Sequence, residues 1–472
     1  MEPLKTEAEI LEQTTERLDQ QDLEGALRIL LQAMTDYQLP TCEVRGFTAA
    51  MPALDVVCQE IGRRLLSPAS STVRKNTARR DVYLATEIYA VGGHTALIGD
   101  YVGNSPGREA ILLLSNAVGS PLAGASAAGR TGIPSERIEI CPHESLLEQT
   151  RWMIQRLHEL QPERVFLLNH PQDPVPVAAL QPGLARFTYF VHHADHSPAL
   201  GVTLTCTAHL DLTPRAYHCC KRLWGVRNTA YVPLQCREPA TRARERDTVR
   251  TTACSGSYNK FTWEGPLSYP AVIRKMLAQT GVCHIHIGPV AEELLNPWRR
   301  RLVAAGIDPD RLKVVPRVTS VWKAMHDFEV DLYLQSFPVP GARAAVEVMG
   351  SGTPLLLHAP ADDALRAATR LIYPETETWS TAQDLIRRVK SADARWLAAQ
   401  RGFARRYFAW NHAGALLAAV FQKDPIRGIK PSGFHSQVRA LFRREIRAYQ
   451  RKYLRPTRWE RARDYWSRLW GN

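Results

Sequence analysis

Four stretches of the chain carry residue types that could do chemistry. Phe190-Val191-His192-His193-Ala194-Asp195-His196 places three imidazoles and a carboxylate close together. Imidazole and carboxylate are good zinc ligands, but neighbouring residues on an extended chain point to opposite faces, and the helical HExxH spacing is missing. No metal site is therefore expected. His193, Asp195 and His196 are candidate catalytic groups that reach a ligand as hydrogen-bonding or acid–base side chains, while another member of the cluster packs as a structural histidine. A second stretch, Tyr89-Ala90-Val91-Gly92-Gly93-His94-Thr95, follows a β-type run and precedes a helical one. Gly92 and Gly93 let backbone approach a ligand closely, the helix N-terminus favours an anion or a hydroxyl oxygen, and the His94 imidazole titrates near neutral pH.

The third stretch is Ser255-Gly256-Ser257-Tyr258-Asn259-Lys260-Phe261. Small polar residues such as Ser257 and Asn259 expose backbone amides, and Lys260 adds a compact positive charge suited to a diphosphate. The GK[ST] ending of a P-loop is not there. The fourth and longest stretch runs from Asp331 through Phe337-Pro338-Val339-Pro340-Gly341-Ala342-Arg343 and Glu347 to Gly352-Thr353-Pro354-Leu355-Leu356-Leu357. It reads as a strand, a Pro/Gly loop, a short small-residue helix and a second strand with no residue to spare.

Alternating elements must position these groups. Apolar runs at 81–86, 109–114, 163–168, 186–192 and 202–207 read as strands, with helical patterns between them at about 94–103, 144–160 and 212–222. A second series has strands at 249–254, 282–287, 312–315, 330–334 and 354–357 and helices near 267–279, 290–305, 319–326, 341–350 and 380–390. Such alternation implies βαβ units and parallel sheets, and open parallel sheets bind ligands beyond the carboxyl ends of their strands. The charged, proline-containing segment Arg237–Arg250 separates the two series as a polar hinge, which sets a cleft between them. Residues 6–66 carry apolar positions at helical spacing, including Ile10, Leu11, Leu18, Leu27 and Leu30, and form a helical preface. The expected organisation is thus a preface at 1–66, α/β domains at 81–236 and 250–425, and a helical tail at 426–472.

The chain has 472 residues, 45% hydrophobic and 23% charged, which excludes a single small module, wholesale disorder and a collagen-like repeat. Its net charge of +13 raises nucleotides, nucleic acid and anionic lipid as partners. Ten of those charges lie between Arg427 and Asn472, where thirteen Lys and Arg face three Asp and Glu. There the cations interleave with aromatics such as Phe442, Tyr449, Trp459, Trp466 and Trp470, the pattern of an interfacial helix on an anionic membrane or glycan. Nine cysteines without CxxC pairs fit a reducing compartment. The N-terminus has no signal-peptide core, and no run approaches about eighteen apolar residues. A cytoplasmic protein, peripheral at the inner face of the membrane, is expected.

Over about residues 81–421 the chain resembles GT-B glycosyltransferases, most closely the O-linked N-acetylglucosamine transferase and HMW-type protein glycosyltransferase group. The resemblance is sharpest at 330–357, where that group has strand, Phe-Pro, a glycine-containing loop, a helix bearing an acid, then Gly-x-Pro and an apolar strand. It implies two Rossmann-like domains facing a cleft, with a nucleotide sugar as donor substrate, UDP-linked sugars among the candidates, and no separate cofactor. It assigns Gly341 and its neighbours Ala342 and Arg343 to the diphosphate, Glu347 to the ribose hydroxyls, Lys260 to phosphate, and Arg317 in Pro316-Arg317-Val318 to the base. Where the family has small hydroxyl residues and often a histidine, this chain has Ala342-Arg343-Ala344, so Arg343 would replace those donors by charge. The implied activity is transfer of a hexosyl or N-acetylhexosaminyl group to a hydroxyl or amide of a glycan, lipid-linked glycan or protein. It would be metal-independent, because cations and helix amides stabilise the leaving diphosphate. The alternatives are a GT-B-like nucleotide-sugar epimerase and a basic protein that binds nucleic acid or an anionic surface, nucleic acid being the less favoured partner.

Overall fold

A computed structural model describes residues 5–38, 49–66, 79–90, 92–119, 125–194, 197–236, 246–257, 260–265, 267–338, 340–358, 372–373, 375–412 and 414–428. Asp195, His196, Asn259 and the basic aromatic tail lie outside the described residues. The chain forms two units, one that runs to Val232 and takes the chain back at Ala418, and one spanning Pro233–Leu417.

Among the described residues the first unit holds nine strands: β1 (Ala49–Ala50), β2 (Arg80–Ala85), β3 (Glu109–Leu114), β4 (Ile138–Ile140), β5 (Arg164–Leu168), β6 (Phe187–His192), β7 (Pro198–Ala199), β8 (Ala208–Asp211) and β9 (Thr229–Tyr231). Seven of them make one parallel sheet in the order β4-β3-β2-β5-β6-β8-β9, and β1 pairs with β7. The unbroken apolar runs Val82-Tyr83-Leu84-Ala85 and Val165-Phe166-Leu167-Leu168 are buried, as strands covered on both faces must be. The strand order reverses between β2 and β5, the switch point at which doubly wound sheets bind ligands.

The amino-terminal helices belong to this unit's core. Ile10, Leu27, Leu30, Leu54, Val57 and Ile61 share one cluster with Val82, Leu84, Val165, Leu167 and Val177. Helix Pro52–Leu65 has no side-chain cap of its own. Glu7, on helix Glu7–Asp19, supplies one by accepting from the Ala53 N–H at 2.8 Å. That burial pushes the Glu7 carboxyl up to about 8.

One expected strand is displaced. The alternation in Val202-Thr203-Leu204-Thr205-Cys206 reads as β, but Asp55 draws this backbone into a turn by accepting from the N–H groups of Gly201 at 2.6 Å and Thr203 at 2.8 Å. The strand begins only at Ala208.

The second unit has strands β10 (Thr251–Ser255), β11 (Cys283–Ile287), β12 (Leu312–Val315), β13 (Leu332–Leu334), β14 (Leu355–His358) and β15 (Glu377–Trp379). They form a parallel sheet in the order β12-β11-β10-β13-β14-β15, again doubly wound, with its switch point between β10 and β13. Met276, Leu277, Trp298, Leu332, Leu334, Leu356, Trp379 and Leu385 fill its core. Gly288 follows β11 at φ +155°, and a Cβ there would stand 2.0 Å from the Gly256 carbonyl oxygen, so glycine alone lets the two strand-end loops meet.

Candidate functional site

At the switch point of the second unit, the loop after β10 delivers Lys260 and the loop after β13 delivers Ser336 and Gly341. A Cβ on Gly341 would lie 3.2 Å from Lys260 Nζ and 3.5 Å from Ser336 Oγ, so this glycine gives the ammonium close access to backbone. Gly341 is also the N-cap of helix Ala342–Ser351, and no side chain caps that helix. Uncapped amides carry partial positive charge. An ammonium over the same end adds to that potential, and the combination is a receptor for an anion.

Gln335 fixes the loop by donating from Nε2 to the Gly341 carbonyl at 2.8 Å. Tyr333 secures the end of β10: its hydroxyl oxygen accepts from the Ser255 N–H at 3.1 Å and lies 2.6 Å from Ser255 Oγ. Glu347, one turn into the helix, is buried. Its Oε2 accepts from Val321 N–H at 2.7 Å and Trp322 N–H at 3.3 Å, and its Oε1 accepts from Arg343 Nε at 3.0 Å. Glu347 thus ties the segment carrying Arg317 to the helix carrying Arg343. Arg317 and Ser257 are exposed at the carboxyl ends of β12 and β10, and Ala342 and Arg343 are partly buried. A recess lined by Thr251, Cys283, Asp310, Arg311 and Phe328 opens at the opposite, amino ends of the strands.

At the switch point of the first unit, three histidines come together. The His94 and His193 ring centres are 4.7 Å apart, His94 and His170 5.2 Å, and His170 and His193 6.5 Å. Each arises from a different element: His94 from helix Gly93–Gly103, His170 from just beyond β5, His193 from just beyond β6. Gly92 caps that helix at φ +120°, where nothing stands within 4 Å of a built Cβ, so backbone conformation alone demands glycine. Gly92 and Gly93 are both exposed.

His94 Nε2 lies 2.8 Å from the Leu168 carbonyl oxygen. A carbonyl only accepts, so the proton is on Nε2 and Nδ1 presents a lone pair, which is buried without a partner. Burial pushes His94 below its usual range, His170 down to about 3 and His193 well below, with mutual repulsion adding to the last two. All three are neutral imidazoles at pH 7.

Their supports are buried carboxylates. Asp173 accepts from the hydroxyls of Thr86 and Ser115 and from Val175 N–H, while Thr86 Oγ1 accepts from His170 N–H at 2.9 Å. Desolvation raises Asp173 to about 6. Glu87 accepts from the Tyr89 hydroxyl and lies 3.6 Å from His170 Nδ1. His170 and Glu87 lie outside the four stretches that residue type and spacing single out. The available signal was their position, since both follow an apolar strand at its carboxyl end.

Comparison of the whole chain places this architecture. HepE of Anabaena, solved with UDP and glucose, superposes with a TM-score of 0.52 at 14% identity over 72% of this chain and 97% of its own. The fold is GT-B. A mutant O-GlcNAc transferase of Thermobaculum terrenum matches with a TM-score of 0.50 at 14% identity over 89% of this chain and 83% of its own. A glycosyltransferase of Rickettsia africae does so with a TM-score of 0.50 at 9% identity over 80% and 99%. A scan against protein families finds no match. A search of characterised proteins finds none either. Among the described residues, no helix is long and apolar enough to cross a membrane.

Proposed function

We propose that the chain is a glycosyltransferase that moves a hexosyl or N-acetylhexosaminyl group from a nucleotide diphosphate to an acceptor hydroxyl or amide. The observation that carries this reading is Lys260 Nζ over Gly341 at an uncapped helix N-terminus, at the switch point of a GT-B unit. The diphosphate takes the helix amides and Lys260, with Arg343 adding charge, and Glu347 takes the ribose. Ser257, Asn259 and Arg317 border the nucleotide. The first unit holds the acceptor, whose exposed backbone contacts come from Gly92 and Gly93.

In the reaction the bond between the anomeric carbon and the diphosphate oxygen breaks as the acceptor atom bonds to that carbon. Negative charge grows on the leaving diphosphate, where Lys260 and the amides stabilise it without a metal ion. The acceptor proton passes to an imidazole that burial keeps neutral at pH 7, His94 or His193; Asp195 and His196 are candidates for orienting the sugar. HepE, solved with UDP-glucose, supports a nucleotide sugar as the donor class. The cationic, aromatic tail brings the enzyme to anionic membrane, and deletion after residue 428 should abolish co-sedimentation with anionic vesicles while leaving nucleotide binding intact.

The test is thermal shift against UDP-, GDP- and CDP-sugars, because a ligand held only by the folded state raises the melting temperature. One of these series stabilises the wild type, and Glu347→Ala weakens that response. No stabilisation by any of them would refute the reading.

A further inference from the structure

His192 and His193 are adjacent in the chain but serve opposite faces of the sheet. His193 joins the histidine cluster above. His192 turns to the other side and meets His209 and Asp211 of β8 and Cys220 of helix Pro214–Arg222. The pairing explains the meeting: His192 lies opposite Asp211 in the ladder, and His209 and Asp211, two apart on one strand, share its face.

We propose that these four side chains bind one zinc ion as a structural site. His192 Nδ1 is 3.2 Å from Asp211 Oδ1, His209 Nδ1 is 3.3 Å from the same oxygen, and Cys220 Sγ is 3.4 Å from His192 Nδ1. One ligand atom from each residue falls within a 4.8 Å span. Tetrahedral zinc with bonds of about 2.0–2.3 Å separates its ligand atoms by roughly 3.3–3.7 Å, so the four need only small movements to close on an ion.

Hydrogen bonding among the four does not satisfy them. His192 Nε2, both His209 nitrogens and Asp211 Oδ2 are buried without a hydrogen-bond partner; His209 Nδ1 is near Asp211 Oδ1 but misaligned for a bond. Orphaned buried polar atoms are costly, and an ion among these four residues would take up the His209 Nδ1 lone pair, which has no hydrogen-bond partner. Charge agrees: a divalent cation, one thiolate, one carboxylate and two neutral imidazoles sum to zero, which a dry interior accepts. As the metal–sulfur bond forms, the Cys220 thiol releases its proton to solvent. All four residues are buried, which leaves no open coordination position, so the ion ties β6, β8 and the following helix together and takes no part in catalysis. Sequence spacing hid the site because the ligands come from three elements.

The full chain, expressed with zinc and freed of any histidine tag and loose metal by dialysis, should retain about one zinc per chain by elemental analysis. Cobalt substitution should give the near-ultraviolet thiolate-to-metal charge-transfer band. Cys220→Ser should abolish that band and His209→Gln should cut retention about tenfold or more, while Cys283→Ser, at an exposed cysteine, leaves both unchanged. Should the first two variants fail to fold, the wild-type stoichiometry and cobalt spectrum decide. A wild type that neither retains zinc nor binds it after reduction, or a folded Cys220→Ser that keeps a full equivalent and its band, would overturn the proposal.

Discussion

The histidine cluster of the first unit and the lysine site of the second occupy the same place in their sheets, the switch point at the carboxyl ends of parallel strands, yet their electrostatics differ. In the first, burial strips three imidazoles of charge and leaves His94 Nδ1 as an unpartnered lone pair. In the second, an ammonium stands over amides that already carry positive potential. One sheet topology thus presents a site suited to receiving a proton and another suited to holding phosphate. Function follows the strand-end loops, while the strands supply the frame.

Breaking each site should damage a different step. Of His94→Ala and His193→Ala, the one that removes the proton acceptor should lower turnover about 10²–10⁴-fold, the usual worth of a general base, while the nucleotide dissociation constant stays at its wild-type value in calorimetry. A variant that lost nucleotide affinity in step with turnover would erase the contrast. Lys260→Ala should weaken nucleotide binding about 10–100-fold, since a charge-assisted contact contributes about 1.5–3 kcal/mol and each 1.4 is tenfold.

A smaller effect concerns the frame. In the folded chain Glu7 keeps its proton to about pH 8, against a reference value of 4.5, because burial disfavours the carboxylate. Below the lower value both states are protonated and the contribution is complete. As pH climbs to the upper value, the unfolded chain sheds the proton first and stability declines. Asp55 and Asp173, each raised to about 6, add to the decline at its acidic end. Glu7→Gln should flatten the fall in melting temperature between pH 5 and 8, by roughly 2–4 °C per kcal/mol for a unit of this size. An unchanged slope would show that Glu7 ionises normally.

Much of the frame was legible because its signals are local. Strands 109–114 and 312–315 stand where their apolar runs place them. Helix Ala342–Ser351 begins at the predicted glycine. Short edge strands such as β4 and β9 carry too few residues for a periodic signal. The 202–207 error has a distant cause, a carboxylate 146 positions away from the Gly201 amide it captures. The site was half legible for the same reason. His94, His193, Lys260 and Gly341 sit in compositionally unusual segments, whereas His170 is a lone histidine that gains meaning only when β5 is paired beside β2 and β6.

The most direct test is calorimetric titration of UDP, GDP and CDP into the wild type, His94→Ala and Lys260→Ala. One nucleotide should bind wild type and His94→Ala equally and Lys260→Ala far more weakly. Wild-type affinity in Lys260→Ala, or no binding of any of the three by the wild type, would contradict the account.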